Sequence, residues 1–434
     1  MGRICWPTAS RRSVILVIVV IALGHVSAAS AQTTLPPGRD AAPTPDALVR
    51  EAIANNPNVR AARGRWEALA RTPIQMRTLP DPQLQIQEFT VGSAKPAAGY
   101  ETSDFYYTGF GVSQDIPGPG KLRLQGEIAE KEADVARRRY EAAQRDVSEK
   151  VRENYFELFY LTKTMTLLEA ERSDLARIEQ IAQARYRVGE GQAQDVLRAQ
   201  LQATQMLNQI EHHHREMQQR QANLKAVLGR DLDSANITVG EVGPTRIELT
   251  ETQLVQAVRS HSTDVMMDRA ISERSEKALE LARKGYIPDF AVGYAYEKTG
   301  PGLRDYYMLT VGAKIPLYFW RKQTPAIEQA ELDLAAARSE VRAHELEIGA
   351  QAEDELVAIH ASDRMLNIYR QGLIPQAENS MLAALAAYRV SKADFQTVIS
   401  AFVDLLNLNQ EYERELADHE IAVAKLEQMV GDFK

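Results

Sequence analysis

Cysteine is nearly absent from this 434-residue sequence: Cys5 is the only one, and it lies in a stretch that reads as an address label. Arg3, Arg11 and Arg12 make a basic start, VILVIVVIAL (14–23) is an apolar core, and Ala29-Ser30-Ala31 supplies a small-x-small cleavage site before Gln32. Residues 1–31 are therefore expected to be an export signal that is removed. The exported remainder has no thiol, which excludes disulfides, thiolate metal sites and a cysteine nucleophile. It also offers no cysteine for a lipid anchor. Long hydrophobic runs are missing too: none after residue 31 reaches the roughly 20 residues that a membrane-spanning helix needs. Nor is there an excess of positive charge. The formal charge of −8 becomes −11 once the three leader arginines are gone, which argues against a nucleic-acid partner. Finally, residues 121–188 contain no proline and a single glycine, Gly126, so nothing in them ends a helix.

What is present is a plan written twice. LVREAIANNPNVRAA (48–62) and LVQAVRSHSTDVMMD (254–268) are amphipathic helices with a polar turn in the middle. PDPQLQIQEF (80–89) and PDFAVGYAYE (288–297) follow, then GFGVSQDIPGPGK (109–121) and TVGAKIPLYFWRK (310–322). Later RYRVGEGQAQDVLRAQ (185–200) returns as AYRVSKADFQTVISAF, so that Tyr186, Arg187, Val188, Gln194 and Val196 match Tyr388, Arg389, Val390, Gln396 and Val398. The pattern predicts a signal (1–31), a proline-rich segment (32–46) and a first repeat (47–240) with strands at about 82–92 and 104–116 and long helices at 121–188 and 192–228. A linker (241–252) leads to a second repeat (253–434) with strands at about 288–298 and 305–317 and long helices at 325–390 and 392–430.

The strands rest on period-two alternation. Phe290, Val292, Tyr294 and Tyr296 share one face against Ala291, Gly293 and Ala295. Tyr307, Leu309, Val311, Ala313 and Ile315 oppose Tyr306, Thr310, Gly312 and Lys314, and Phe110, Val112 and Ile116 oppose Gly109, Gly111, Ser113 and Asp115. Aromatics gather at the strand ends: Tyr100, Phe105, Tyr106, Tyr107, Tyr306 and Tyr307 at one, Tyr318, Phe319 and Trp320 at the other. The 121–188 helix would be about 100 Å long. It repeats Val147, Val151, Tyr155, Leu158 and Phe159 at helical spacing, a stripe that needs partner helices.

Strands of about ten residues tilted by roughly 45° span a bilayer, and in lipid a sheet must close so that no edge is left unpaired. Four strands cannot enclose an interior, so several copies of the chain would have to share one barrel. A soluble sheet covered by helices is the competing reading of the same alternation.

The duplicated plan, the YRVGEGQAQDVL break and the junction QDIPGPGKLRLQ (114–125) together resemble the TolC-type outer-membrane efflux proteins over essentially the whole exported chain. The junction is similar to that of members that serve heavy-metal cation efflux. The resemblance implies a mainly α fold with a transmembrane β part: a homotrimer whose twelve strands form a barrel in the outer membrane of a Gram-negative bacterium, continuous with a periplasmic barrel of coiled-coil helices. It implies a passive exit duct for small molecules or metal cations, docked to a periplasmic adaptor and an inner-membrane pump, with no cofactor and no catalysis.

By the same resemblance, Tyr186, Arg187, Val188, Gly189, Glu190 and Gly191, with Tyr388, Arg389, Val390, Ser391 and Lys392, form the adaptor-docking tip. Gly189 and Gly191 can take the positive φ of a sharp reversal. Ser391 stands where the family usually has glycine, so the second turn is expected to use another geometry. Asp195, whose repeat counterpart is Thr397, is the candidate pore constriction. It either forms an anionic ring in the trimer or serves as an aspartate favoured by the helix dipole. Arg187 and Arg389 are expected to hold the tip by ion pairs. Pro117, Gly118, Pro119, Gly120 and Lys121 make the strand-to-helix junction. GPGK (118–121) is not a phosphate loop, because Leu122 stands where Ser or Thr is needed. HHH (212–214) points its rings about 100° apart along a helix, unsuited to one ion, and EDE (353–355) reads as a solvated stripe. The rival of a different class is an exported periplasmic coiled-coil scaffold or adaptor without a pore.

Overall fold

The computed structural model describes residues 42–99, 101, 106–300 and 302–431. The expected signal segment, together with Tyr100 and Phe105, lies outside the described residues. The chain opens with three short helices, α1 (Pro45–Asn55), α2 (Pro57–Leu69) and α3 (Thr72–Arg77), before strands β1 (Gln83–Phe89) and β2 (Tyr107–Ile116). Two long helices follow, α4 (Lys121–Arg187) and α5 (Ala193–Leu228). After a linker the order recurs: α6 (Glu251–His261), α7 (Thr263–Arg283), β3 (Asp289–Thr299), β4 (Tyr306–Lys314), α8 (Gln323–Ile368), α9 (Ile374–Arg389) and α10 (Phe395–Val430).

Helix α4 runs 67 residues without a break. Its expected stripe is its buried face: Val147, Val151, Tyr155, Leu158 and Phe159 are all buried. Val151, Tyr155 and Leu158 pack with Leu48 and Ala52 of α1, Val59 of α2, Leu224 and Leu228 of α5 and Ala417 of α10. Each fully buried side chain of this size contributes about 1.5–3 kcal/mol, which is what such a helix needs beyond its own propensity. The second repeat differs. Between α8 and α9 the helix widens into a π turn at Tyr369–Leu373. Pro375, just beyond it, has no N–H to donate to the carbonyl one turn earlier, and the backbone loosens ahead of it.

The linker between the repeats has no regular structure but is strapped to the helices. The Gly240 N–H donates to the Tyr155 hydroxyl at 3.0 Å, and the Thr245 N–H and hydroxyl donate to the Glu420 carboxylate at 2.7 and 2.8 Å. Gln221 exchanges two hydrogen bonds with the Ile237 backbone.

The four strands form one antiparallel sheet in the order β1-β2-β3-β4, so the two repeats join at β2 and β3. Register puts Leu84, Val112, Tyr294 and Leu309 in one row and Ile86, Phe110, Tyr296 and Tyr307 in another row of the same face. The opposite face carries Gln83, Ser113, Gly293 and Thr310, then Gln85, Gly111, Ala295 and Met308. The apolar face is uncovered: Ile86 is 80% exposed and Leu309 68%. Strands β1 and β4 each pair on one side only. Among the described residues no helix is long and apolar enough to cross a membrane.

Candidate functional site

At the end of the helices farthest along the chain from the sheet, α4 turns into α5 and α9 into α10. The first reversal is a Schellman motif: the Gly189 N–H donates to the Tyr186 carbonyl at 3.1 Å and the Glu190 N–H to the Arg185 carbonyl at 2.9 Å, with Gly189 at φ 78°. The second repeats it. Ser391 N–H donates to the Tyr388 carbonyl at 3.1 Å and Lys392 N–H to the Ala387 carbonyl at 2.9 Å, with Ser391 at φ 61°. The expectation of another geometry for the second turn is thus overturned: serine adopts the left-handed conformation that glycine takes in the first. Gly191 does not have positive φ. It is needed for close approach, since a Cβ there would lie 3.1 Å from both the Arg185 Cβ and the Tyr186 N.

The compensation for strain at Ser391 comes from Arg185. Its guanidinium lies 4.5 Å from the centre of the Tyr388 ring, donates to the Ser391 hydroxyl at 2.6 Å and to the Glu190 carbonyl at 3.1 Å, and also donates to the Tyr388 carbonyl. One side chain therefore binds both reversals. Within one chain Arg187 and Arg389 are both exposed, and neither meets a carboxylate among the described residues. Arg185, two residues before Arg187, instead reaches across to Tyr388 and Ser391 of the second hairpin. A signal for Arg185 was present in the duplication, because Ala387 stands in its place in the second repeat.

Tyr186 and Tyr388, identical in the sequence pattern, have opposite fates. Tyr388 is 3% exposed and packs against Phe395 in a cluster with Leu175, Ile178, Val398 and Phe402, while Tyr186 is 52% exposed. The Tyr388 hydroxyl donates to Asp195 at 3.1 Å. Burial first, then the Asp195 carboxylate, push that hydroxyl up to about 12 against the opposing pull of Arg185, so it stays a donor at any physiological pH. Asp195 sits in the first turn of α5, where a carboxylate suits the dipole. Its partner belongs to the other hairpin. The Arg198 guanidinium adds a bond to the Gln396 side-chain oxygen across the same seam. Val188 and Val390 end the helices as exposed caps, and Lys392 is exposed.

The junction residues are brought together at the sheet. Gly118 N–H donates to Asp289 at 2.7 Å, and the Lys121 ammonium reaches the same carboxylate at 2.7 Å and the Ile287 carbonyl at 2.8 Å. A Cβ on Gly118 would come within 2.7 Å of the Pro288 carbonyl oxygen. Pro117–Lys121 thus fastens the end of β2 to the start of β3, across the two repeats; Gly120 caps α4 at φ 85°. His212 and His213 share Glu216, at 3.3 and 3.1 Å, and His213 sets its edge against Tyr160.

These features meet known proteins in three comparisons. The family model described as "Outer membrane efflux protein" matches residues 48–230 and 254–432, once for each repeat. Outer membrane protein TolC of Vibrio cholerae is 21% identical over 397 residues, 88% of this chain and 90% of that protein. The crystal structure of CusC superposes with a TM-score of 0.78 at 14% identity, covering 89% of this chain and 92% of that one. The outer membrane protein VceC of Vibrio cholerae gives 0.77 at 19% identity, over 89% and 96%.

Proposed function

This chain belongs to the outer membrane efflux protein family, and on that premise we propose that three copies share one pore: a twelve-stranded barrel in the outer membrane, prolonged into the periplasm by the long helices. It is the outer-membrane exit duct of a tripartite efflux system. We read its role as passive transport, with metal cations or other small molecules as cargo, delivered by an inner-membrane pump through a periplasmic adaptor. The observation that carries this reading is the sheet: one face apolar and uncovered, the other mostly small or polar, and the outer edges of β1 and β4 unpaired. In water such edges invite aggregation. In lipid they must be closed, and copies of the same chain can close them.

The two reversals would be the docking tip. Between α4 and α5 a groove of ≈ 390 Å³ is lined by Gln183, Tyr186, Arg187, Ala193, Val196 and Leu197, and exposed Val188 and Val390 stand beside the turns. That apolar surface suits the tip of an adaptor's helical hairpin. The seam of Arg185, Tyr388 and Asp195 would hold the tip narrow within each protomer. A scaffold without a pore would have no use for an uncovered apolar sheet face. Planar-bilayer recording tests the reading: discrete conductance steps support a duct, and electrically silent bilayers with correctly folded protein would remove it.

A further inference from the structure

The strand-to-helix junction of the second repeat does what the first does, by very different residues. Where the first has Pro117, Gly118, Pro119 and Gly120, the second has Leu317, Tyr318, Phe319, Trp320, Arg321 and Lys322. Connecting a strand to a helix needs no aromatics, as the first junction demonstrates. We propose that residues 317–322 form a lipid anchor, in which Tyr318 and Trp320 enter the bilayer interface at the helical end of the sheet and Arg321 and Lys322 take the phosphate of an acidic phospholipid. The inference rests on the membrane reading of the sheet and assigns this turn a ligand of its own.

Three observations carry it. The turn is fixed: Arg321 N–H donates to the Tyr318 carbonyl at 3.0 Å, Lys322 N–H to the same carbonyl at 3.1 Å and Thr324 N–H to the Phe319 carbonyl at 2.9 Å. Phe319 and Trp320 meet edge to face at 5.1 Å, and Phe319 leans on Tyr286. Yet this ordered cluster is uncovered, with Leu317 67%, Tyr318 70% and Trp320 56% exposed. It continues the exposed apolar face of β4 through Ile315, so what covers that face reaches the turn. Aromatic side chains with one polar end favour the headgroup level of a bilayer.

The charge points the same way. Neither Arg321 nor Lys322 meets a carboxylate among the described residues, and Lys284 at the same end meets none either. Lys121 at the first junction is bound to Asp289. Cations beside an interfacial aromatic cluster, with no acid to neutralise them, are the complement of an anionic headgroup.

The test uses Trp320 as its own reporter. The three tryptophans are Trp6, Trp66 and Trp320; Trp6 leaves with the export signal, so Trp66→Phe in the exported chain leaves one. It is reconstituted in phosphatidylcholine nanodiscs doped with brominated phosphatidylglycerol or brominated phosphatidylcholine. The expected result is quenching by both, with preference for the acidic lipid by about fivefold per cation. Arg321→Gln with Lys322→Gln keeps the quenching and removes the preference, and excess inorganic phosphate leaves it unchanged. Trp320 shielded from both lipids, as when a second copy covers the turn, overturns the anchor. So does the absence of any preference for the acidic lipid in the native sequence, a preference that survives loss of both cations, or release by free phosphate. Conductance of the same protein separates the two failures: a working channel without lipid preference sinks only the anchor, and a silent one sinks the membrane reading beneath it.

Discussion

At the scale of single residues, the tip is governed by one arginine that faces inward and one tyrosine that is buried. Tyr388→Phe keeps the ring under Arg185 and removes only the bond to Asp195, a loss of about 1.5–3 kcal/mol for a hydroxyl on a carboxylate. The expected result in planar bilayers is a larger conductance with unaltered ion preference. Asp195→Ala should raise conductance in the same way, and should lower cation preference only if three Asp195 also ring the pore; conductance unchanged in both variants would contradict the tether. Ser391 makes a sharper case. Ser391→Ala keeps the left-handed strain and loses the Arg185 bond, while Ser391→Gly loses the bond and relieves the strain. Glycine should therefore be the more stable of the two variants by about 1 kcal/mol in thermal unfolding. The sequence made Ser391 visible as a departure from glycine but not its remedy, which sits in Arg185, four residues before Gly189 in the other hairpin. Residues so far apart along the chain show no periodicity to each other. Only the offset between Arg185 and Ala387 could have marked them.

At the scale of elements, the turns that join strands to helices fix the angle between sheet and helices. Gly118→Ala forces a methyl against the Pro288 carbonyl and the Ile287 side chain. Overpacking of this kind costs about 1–3 kcal/mol, so the variant should unfold at a lower temperature, and equal stability would show that the junction yields. A second tie joins α7 to α8, where His344 meets the buried Asp268 at 2.5 Å. The hydrogen bond to Asp268, aided by its charge, holds the imidazolium above its ordinary value of 6.5. The tie is complete below that value and is lost as pH rises through the raised one. Thermal stability of the native chain should fall as pH rises above about 6.5 more steeply than that of His344→Gln; parallel curves would dismiss the tie. The long α4 was legible because its stripe of Val147, Val151, Tyr155, Leu158 and Phe159 has one period and no breaker. The π turn at Tyr369–Leu373 was not, since Pro375 announces a disturbance without saying whether the helix ends, kinks or widens. The straps of the linker on Tyr155, Gln221 and Glu420 were invisible for a different reason: single polar side chains reaching across space leave no pattern in sequence.

At the scale of the whole molecule, the two repeats build one sheet whose apolar face is uncovered and whose two edges are unpaired. Alternation in the sequence announced which residues share a face, and the register joins those sets across all four strands. What alternation could not announce was the strand order, because nothing in Tyr107–Ile116 or Asp289–Thr299 says that β2 lies beside β3. That order leaves β1 and β4 outermost, available to neighbours on either side. The central claim is that this open sheet is completed only by further copies and that the ring closes at three. Native mass spectrometry of the detergent-extracted protein measures this most directly: three chains in a single species is the predicted result, and a lone chain, or an open series of larger assemblies, would contradict it.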